Sequence, residues 1–376
     1  MRVALLGAGG AMASVVLKDL LEFAPDVSVT LADRRPVVAT DPRVRWVAAD
    51  VRDEAATARL LEGHDVVLNC VTYYFNMPVM RAALSAGVPY ADLGGLYHGT
   101  LEQFALDEEF RRAGVPAVLG MGSTPGITNA MAGELAQGLD TVEAIHVRVG
   151  CIDRKAAGPL PVPYALDTIL DEFSLEPMVF RDGRPEAVAP MSGEETIVFP
   201  QPIGQVRAFY TLHSEVAMFP RSFPDLRESS FKVAFDPEFT VKMRFLVELG
   251  FASREPLAGG GSPRDALLAL AAKLPRPAAE PDDCDVLRVD VSGTSQGRAT
   301  RARAELTVHP HPDWRVGAGA LDTGVPLSIV GQMLARREIA PSGVLCPETV
   351  LPNSSFFGEL ERRGMRARFE PDSRSQ

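Results

Sequence analysis

Apolar strands alternate with amphipathic helices through the first third of the chain. An apolar run at residues 2–6 leads into a glycine turn and a helix, and a second apolar run at 27–32 ends on Asp33. Further strands are expected at 44–48, reaching Asp50, and at 65–69, 90–93 and 115–119. The 65–69 run is continuous rather than alternating, as in a parallel strand buried on both faces. Helices are expected at 53–62, capped by Asp53, at 76–86, stopped by Gly87, and at 101–113, stopped by Gly114. Alternating βα units with short connections predict a doubly wound parallel sheet of Rossmann type, an α/β fold whose ligand sits at the carboxyl ends of the strands.

The pattern changes after Gly126. A helix at 127–137 and a strand at 144–150 precede a Pro- and Gly-rich stretch at 158–163. Strand character at 178–180, 196–199, 231–235, 287–291 and 302–308 predicts a mixed or antiparallel sheet, hence a second domain of α+β type. Ser262-Pro263 opens a helix to about residue 274, residues 275–283 read as a loop, and helices follow at 327–337 and 355–364.

Charge and composition narrow the partners. The formal net charge is −11 and the Lys and Arg residues are scattered, so neither a nucleic-acid stripe nor a polybasic membrane patch is present. No apolar run approaches the ~20 residues that span a bilayer. The first strand starts at residue 2, so no cleavable leader is expected. Cys70, Cys151, Cys284 and Cys346 are far apart, which suits free thiols in a reducing cytoplasm. The histidines lack ligand spacing, and His309-Pro310-His311 reads as a solvated turn, so no metal is expected.

The glycine turn carries chemistry. Gly7 permits the turn out of the strand, and Gly9 lacks a Cβ, so the backbone can approach a pyrophosphate. The amides of Gly10, Ala11 and Met12 would then face the anion at the positive end of a helix. Met12 stands where this fingerprint has its third glycine. Asp33 would accept from a ribose 2′-hydroxyl, which favours NAD, whereas Arg34 beside it would suit the phosphate of NADP. Asp50 ends the next strand on the same edge. Asn69, Cys70 and Val71 lead into Tyr73 and Tyr74, placed to meet the second ribose and wall the pocket, or to form a packed turn. The turn from Gly120 through Gly122 and Pro125 to Gly126 would set backbone amides beside the nicotinamide, or serve as a hinge. Asp92 would bind a substrate ammonium, take a proton, or cap its own turn.

These stretches resemble a known family. VALLGAGG (3–10), TLADR (30–34), GHDVVLNCVTYYFN (63–76), AGVPYADLGG (86–95), GMGSTPGITN (120–129), AFYTLHSE (208–215), PRSFPDL (220–226) and GVLCPE (343–348) are similar to the saccharopine dehydrogenase-like oxidoreductases, most of all to the L-lysine 6-dehydrogenases. The resemblance implies a Rossmann domain (1–126), an α+β substrate and dimerisation domain (127–320) and C-terminal helices (321–376) that return to the first domain. It implies a homodimer and an NAD(P)-linked reaction at the C–N bond of an amino acid or amine, with oxidative deamination of lysine at the ε-carbon as the leading expectation. The alternatives are a saccharopine-type enzyme on a secondary amine and a non-catalytic dinucleotide sensor. In the middle domain, His213 and Glu215 lie two apart and would share one face of an extended segment, with His213 shuttling a proton and Glu215 setting its charge. Arg207 and Arg221 flank them and would suit a carboxylate. His213-Ser214-Glu215 departs from the Gly-, Ser- and Thr-rich stretch of the lysine enzymes, which puts substrate identity in doubt.

Overall fold

The computed structural model describes residues 1–156, 158–274 and 280–371. Most of the loop expected at 275–283 therefore lies outside the described residues. Six parallel strands build the first sheet: β1 (Arg2–Leu6), β2 (Ser28–Asp33), β3 (Val44–Ala48), β4 (Val66–Asn69), β5 (Tyr90–Asp92) and β6 (Pro116–Val118). Helices α1 (Ala11–Phe23), α2 (Glu54–Leu61), α3 (Asn76–Ala86), α4 (Leu96–Phe104) and α5 (Asp107–Ala113) connect them. The spatial order β6-β5-β4-β1-β2-β3 reverses between β1 and β4, which opens a crevice at their carboxyl ends. Val3–Leu6 and Val66–Leu68 are fully buried, as continuous apolar runs in a covered parallel sheet must be. The helix expected at 101–113 is two helices. Asp107, Glu108 and Glu109 fill the first turn of α5, where the helix dipole favours acids, and the chain turns just before them.

The second unit contains α6 (Ile127–Ala136), β7 (Thr141–Asp153), α7 (Leu166–Ser174), β8 (Met178–Arg181), β9 (Arg184–Ala187), β10 (Glu195–Val198), β11 (Gln205–Tyr210), α8 (Glu215–Ser222), β12 (Glu228–Ala234), α9 (Pro237–Glu248), α10 (Pro263–Ala271), β13 (Asp283–Ser295) and β14 (Arg298–Val308). Its mixed sheet runs β10-β11-β12-β7-β13-β14, with β12 parallel to β7 and the β8–β9 hairpin beside β12. Alternation sorts the two faces. Ile145, Val147, Val149, Phe231, Leu287 and Val289 point into the core, while His146, Arg148, Lys232 and Arg288 point the other way, with Arg148 and Lys232 paired to Glu195 and Arg288 to Glu305. Three helices, α7, α8 and α9, and strands β9 and β11 were not anticipated. Pro220 lies inside α8 and masks its helical signal.

The chain then returns to the first unit. α11 (Ala318–Ala335) begins well before residue 327, the expected start, because Gly319, Gly324 and Pro326 weaken the helical signal. Those small residues allow close packing: a Cβ on Gly324 would stand 2.7 Å from Val15 Cβ, and one on Gly331 2.7 Å from Leu68 Cδ2. β15 (Gly343–Leu345) pairs with β6 and becomes the edge strand of the first sheet. After α12 (Pro347–Val350) and α13 (Asn353–Arg362), β16 (Ala367–Pro371) pairs with β14 at the edge of the second. A buried ion pair, Asp19 with Arg363, ties α1 to the end of α13 and also engages Ser328 of α11.

Candidate active site

The dinucleotide end is built from the crevice between β1 and β4. Gly7 has φ +74°, and a Cβ there would meet the Cys70 carbonyl carbon at 2.7 Å, so only glycine fits both the turn and the close approach. Gly9, Gly10 and Ala11 are exposed. α1 starts at Ala11 with no side-chain cap and no acid in its first turn. Its first amides are free for an anion, so the loop fits a pyrophosphate. Asp33 accepts from the amides of Gly9 and Arg35, each at 2.9 Å. Burial opposes its ionisation, but those amides and the Arg34 and Arg35 guanidinium groups outweigh it and hold its pKa below the usual carboxylate range. Asn69 is buried between Asn76 Oδ1 and the Tyr90 hydroxyl, and its Oδ1 accepts from the Val71 amide. Asn69 and Val71 thereby stiffen the turn after β4. Asp50 sits on the surface paired with Arg52, which lowers its pKa to about 2.

Asp92 is fully buried. Its two oxygens accept from the Gly94 amide (2.9 Å), the Gly120 amide (2.7 Å), the Tyr90 hydroxyl (2.8 Å) and Gln103 Nε2 (2.6 Å). Every acceptor position is filled, so Asp92 takes the capping role and leaves no lone pair for a substrate or a proton. What it does is pin the loops after β5 and β6 together. A Cβ on Gly94 would stand 3.0 Å from Pro125 Cγ and 3.4 Å from Ser214 Oγ. The segment of the second unit that carries His213 therefore docks on the carboxyl edge of the first sheet, beside the 120–126 turn that includes Gly122.

His213 and Glu215 meet, though not through strand alternation. Ser214 is the N-cap of α8 and Glu215 its first residue, so the chain turns between them. His213 Nδ1 donates to Glu215 Oε2 at 3.0 Å, and Thr128 donates to Glu215 Oε1 at 3.2 Å. The imidazole stacks on Phe231 with centroids 3.7 Å apart. Its Nε2 faces a third group, Glu172 Oε1, at 3.9 Å. Burial disfavours the charged imidazolium, but Glu215 and Glu172 together outweigh that and raise the His213 pKa. Burial also pushes Glu172 up to about 7, against the opposing pull of His213 and of the Tyr164 hydroxyl that donates to it.

Further buried acids lie near Cys151 and Tyr164. Ser123 donates to the buried Asp322 at 2.9 Å, and Asp285 is pushed to about 7 by burial and the neighbouring Asp283. On the other side of α7, Asp171 accepts from the hydroxyls of both Tyr73 and Tyr74 and from Arg264 Nη1 at 2.7 Å. The tyrosines thus link the loop after β4 to the second unit. Arg254 stacks over Tyr74 and pairs with Asp167. Two expected substrate residues stay outside. Arg207 pairs with Glu194 on the surface, and Arg221 lies over Phe104 and pairs with Asp107. Glu172, Tyr164, Asp171, Asp285 and Asp322 were missed. The only local signal for α7 was its apolar spacing, Leu166, Ile169, Leu170 and Phe173, which puts Asp171 and Glu172 next to a buried face.

Comparison with known proteins matches both units. The saccharopine dehydrogenase NADP binding domain matches residues 3–118 and the saccharopine dehydrogenase C-terminal domain residues 122–365. Carboxyaminopropylagmatine dehydrogenase of Synechocystis sp. is 25% identical over 97% of this chain and 96% of its own length. Carboxynorspermidine synthase of Vibrio cholerae is 24% identical over 77% and 73%. In fold, the chain matches apo saccharopine dehydrogenase (L-Glu forming) from Saccharomyces cerevisiae with TM-score 0.71, covering 99% of this chain and 100% of that one at 17% identity. The dinucleotide crevice and the domain docked across its mouth therefore belong to one inherited design, and this chain is a member of the saccharopine dehydrogenase family, an NAD(P)-dependent oxidoreductase acting on amines.

Proposed function

We propose that the substrate is a secondary amine joining a carboxylated alkyl group to a polyamine-like chain, and that His213 is the proton acceptor. The observation that carries this is the buried His213, held by Glu215 and docked at the nicotinamide edge of the first sheet. Asp283, Asp285 and Asp322 suit a substrate with several positive charges, and the names of the Synechocystis and Vibrio relatives describe carboxylated amines of that kind. The hydroxyls of Thr211 and Ser214 flank His213, are buried and have no hydrogen-bond partner among the described residues, so they are available to a bound amine.

Hydride leaves only from a carbon whose nitrogen is neutral. The substrate ammonium first gives a proton to His213, and its lone pair then drives hydride from the adjacent carbon. A nicotinamide dinucleotide, when bound, supplies the hydride acceptor. Water adds to the resulting iminium and loses one proton, and collapse of that adduct, with a proton returned to nitrogen and the hydroxyl proton lost, yields a carbonyl compound and a free amine. Either dinucleotide fits this end of the cleft. Asp33 suits a free 2′-hydroxyl, Arg34 and Arg35 suit a 2′-phosphate, and the family description names NADP.

The test follows near-ultraviolet absorbance of the reduced nicotinamide with carboxyalkyl polyamines, saccharopine and L-lysine, each with NAD and NADP. Turnover of a carboxyalkyl polyamine is expected. Turnover of L-lysine alone, with ammonia released, would restore the deaminase reading, and binding of dinucleotide without turnover of any amine would favour a sensor. The protein is proposed to act as a homodimer, which sedimentation of the purified protein checks.

A further inference from the structure

We propose that Glu172 is a second proton-handling group, paired with His213 across a seat for one exchangeable N–H or O–H, and that Tyr164 is its positioning partner. This rests on His213 being the proton acceptor. The reaction above moves several protons on the substrate side: one leaves the ammonium, one leaves the water that attacks the iminium, one returns to the departing amine, and the adduct's hydroxyl proton leaves as the carbonyl forms. A single imidazole facing substrate through Nε2 has one site to load. The structure supplies another. Nδ1 is committed as donor to Glu215, so the exchangeable site of His213 is Nε2, and Nε2 faces Glu172 Oε1 at 3.9 Å. That spacing is too long for a direct hydrogen bond. An atom set about 2 Å off the line between the two reaches both at ordinary hydrogen-bond lengths.

The groups around Glu172 fit that work. His213 faces it from the loop before α8, the Tyr164 hydroxyl donates to it from the segment before α7, and Asp171, Glu215 and Cys151 add their fields from α7, α8 and β7. Burial and the acids favour the neutral carboxyl, whereas His213 and Tyr164 favour the carboxylate, and the balance falls at about 7. A group balanced there gives and takes a proton with little cost in either direction near neutral pH. The proton count closes: the ammonium proton loads one member of the pair and the first water proton the other, one of these returns to the leaving amine, the hydroxyl proton lost on collapse refills the emptied member, and two exit to solvent.

The experiment compares E172Q, Y164F and H213Q with the wild type. Titration of 15N-histidine-labelled protein by NMR, without dinucleotide, reads the His213 pKa directly. E172Q is expected to lower that pKa, because one of its two facing anions is gone, and to lower kcat by about 10²-fold while KM changes little. Y164F should instead move the pH–rate limb of Glu172 upward, since the lost hydrogen bond had favoured its carboxylate. If E172Q leaves both the His213 titration and the pH–rate profile as in the wild type while H213Q is impaired, the pairing is wrong and His213 acts alone. If H213Q turns over at the wild-type rate, the assignment of His213 as base falls, and the pairing with it.

Discussion

At the residue scale, Asp33 and Gly9 occupy one small space. A Cβ on Gly9 would stand 3.1 Å from Asp33 Oδ2, so G9V both displaces that carboxylate and fills the approach to the pyrophosphate. Calorimetry should show loss of dinucleotide binding with the fold intact by circular dichroism. D33S removes the charge that repels a 2′-phosphate and leaves Arg34 and Arg35 in place, so the ratio of kcat/KM for NADP over NAD should rise. An unchanged ratio would mean that Asp33 does not read the ribose. At the other end, H213A should lower kcat/KM by about 10²–10⁴, least at high pH, where solvent takes the proton. Burial alone would lower the His213 pKa, and Glu215 and Glu172 raise it, so E215Q should shift the acid limb of the pH–rate profile to lower pH. The pair His213 and Glu215 could be read from the chain because they lie two residues apart. Glu172 could not, because only folding brings α7 against the loop before α8. Asp92 misled for a different reason. Its position at a strand end suits a catalytic acid as well as a cap, and only its four filled acceptor positions decide between them.

At the element scale, the parallel strands were legible and several helices were not. Continuous apolar runs between glycine and proline stops mark β1, β2 and β4 directly. α11 hides because its own signal is poor: glycines and Pro326 lower its propensity, and it is apolar on nearly every side. Packing overrides propensity there. G324L would drive a branched side chain into Val15 and the Met12 carbonyl, and should destabilise by about 1–3 kcal/mol. Thermal denaturation checks this, and an unchanged Tm would mean that α1 and α11 can move apart freely. α7 is a connector whose adjacent acids face opposite neighbours, Asp171 toward the tyrosines of the loop after β4 and Glu172 toward His213. Its placement depends on both units at once, which explains why the sequence around 166–174 gave no hint of its role.

At the scale of the whole molecule, the C-terminal segment holds the two units in register. Asp19 and Arg363 are both buried, and their pairing reaches across the chain from α1 to the end of α13. Burial raises the Asp19 pKa despite the Arg363 partner, so an unpaired Asp19 would be costly. R363M should destabilise by about 3–5 kcal/mol, and the double variant D19L/R363M should recover much of that loss, since the cost lies in the stranded charge rather than in the missing pair. Chemical denaturation of the two variants distinguishes the cases, and equal loss in both would contradict it. The expectation that the chain's end returns to the first unit came from resemblance. That β15 becomes a strand of the first sheet was not visible, because residues 343–345 are too short a run to read without their partner.

That late strand sets a timetable for biosynthesis. A ribosome delivers β1 to β6 first, yet their outer edge stays open and the face of Leu68 stays bare until α11 and β15 have left the exit tunnel. Until then the edge of β6 has no partner strand on that side. Fragments that stop before residue 343 should therefore expose the β6 edge and aggregate when expressed alone.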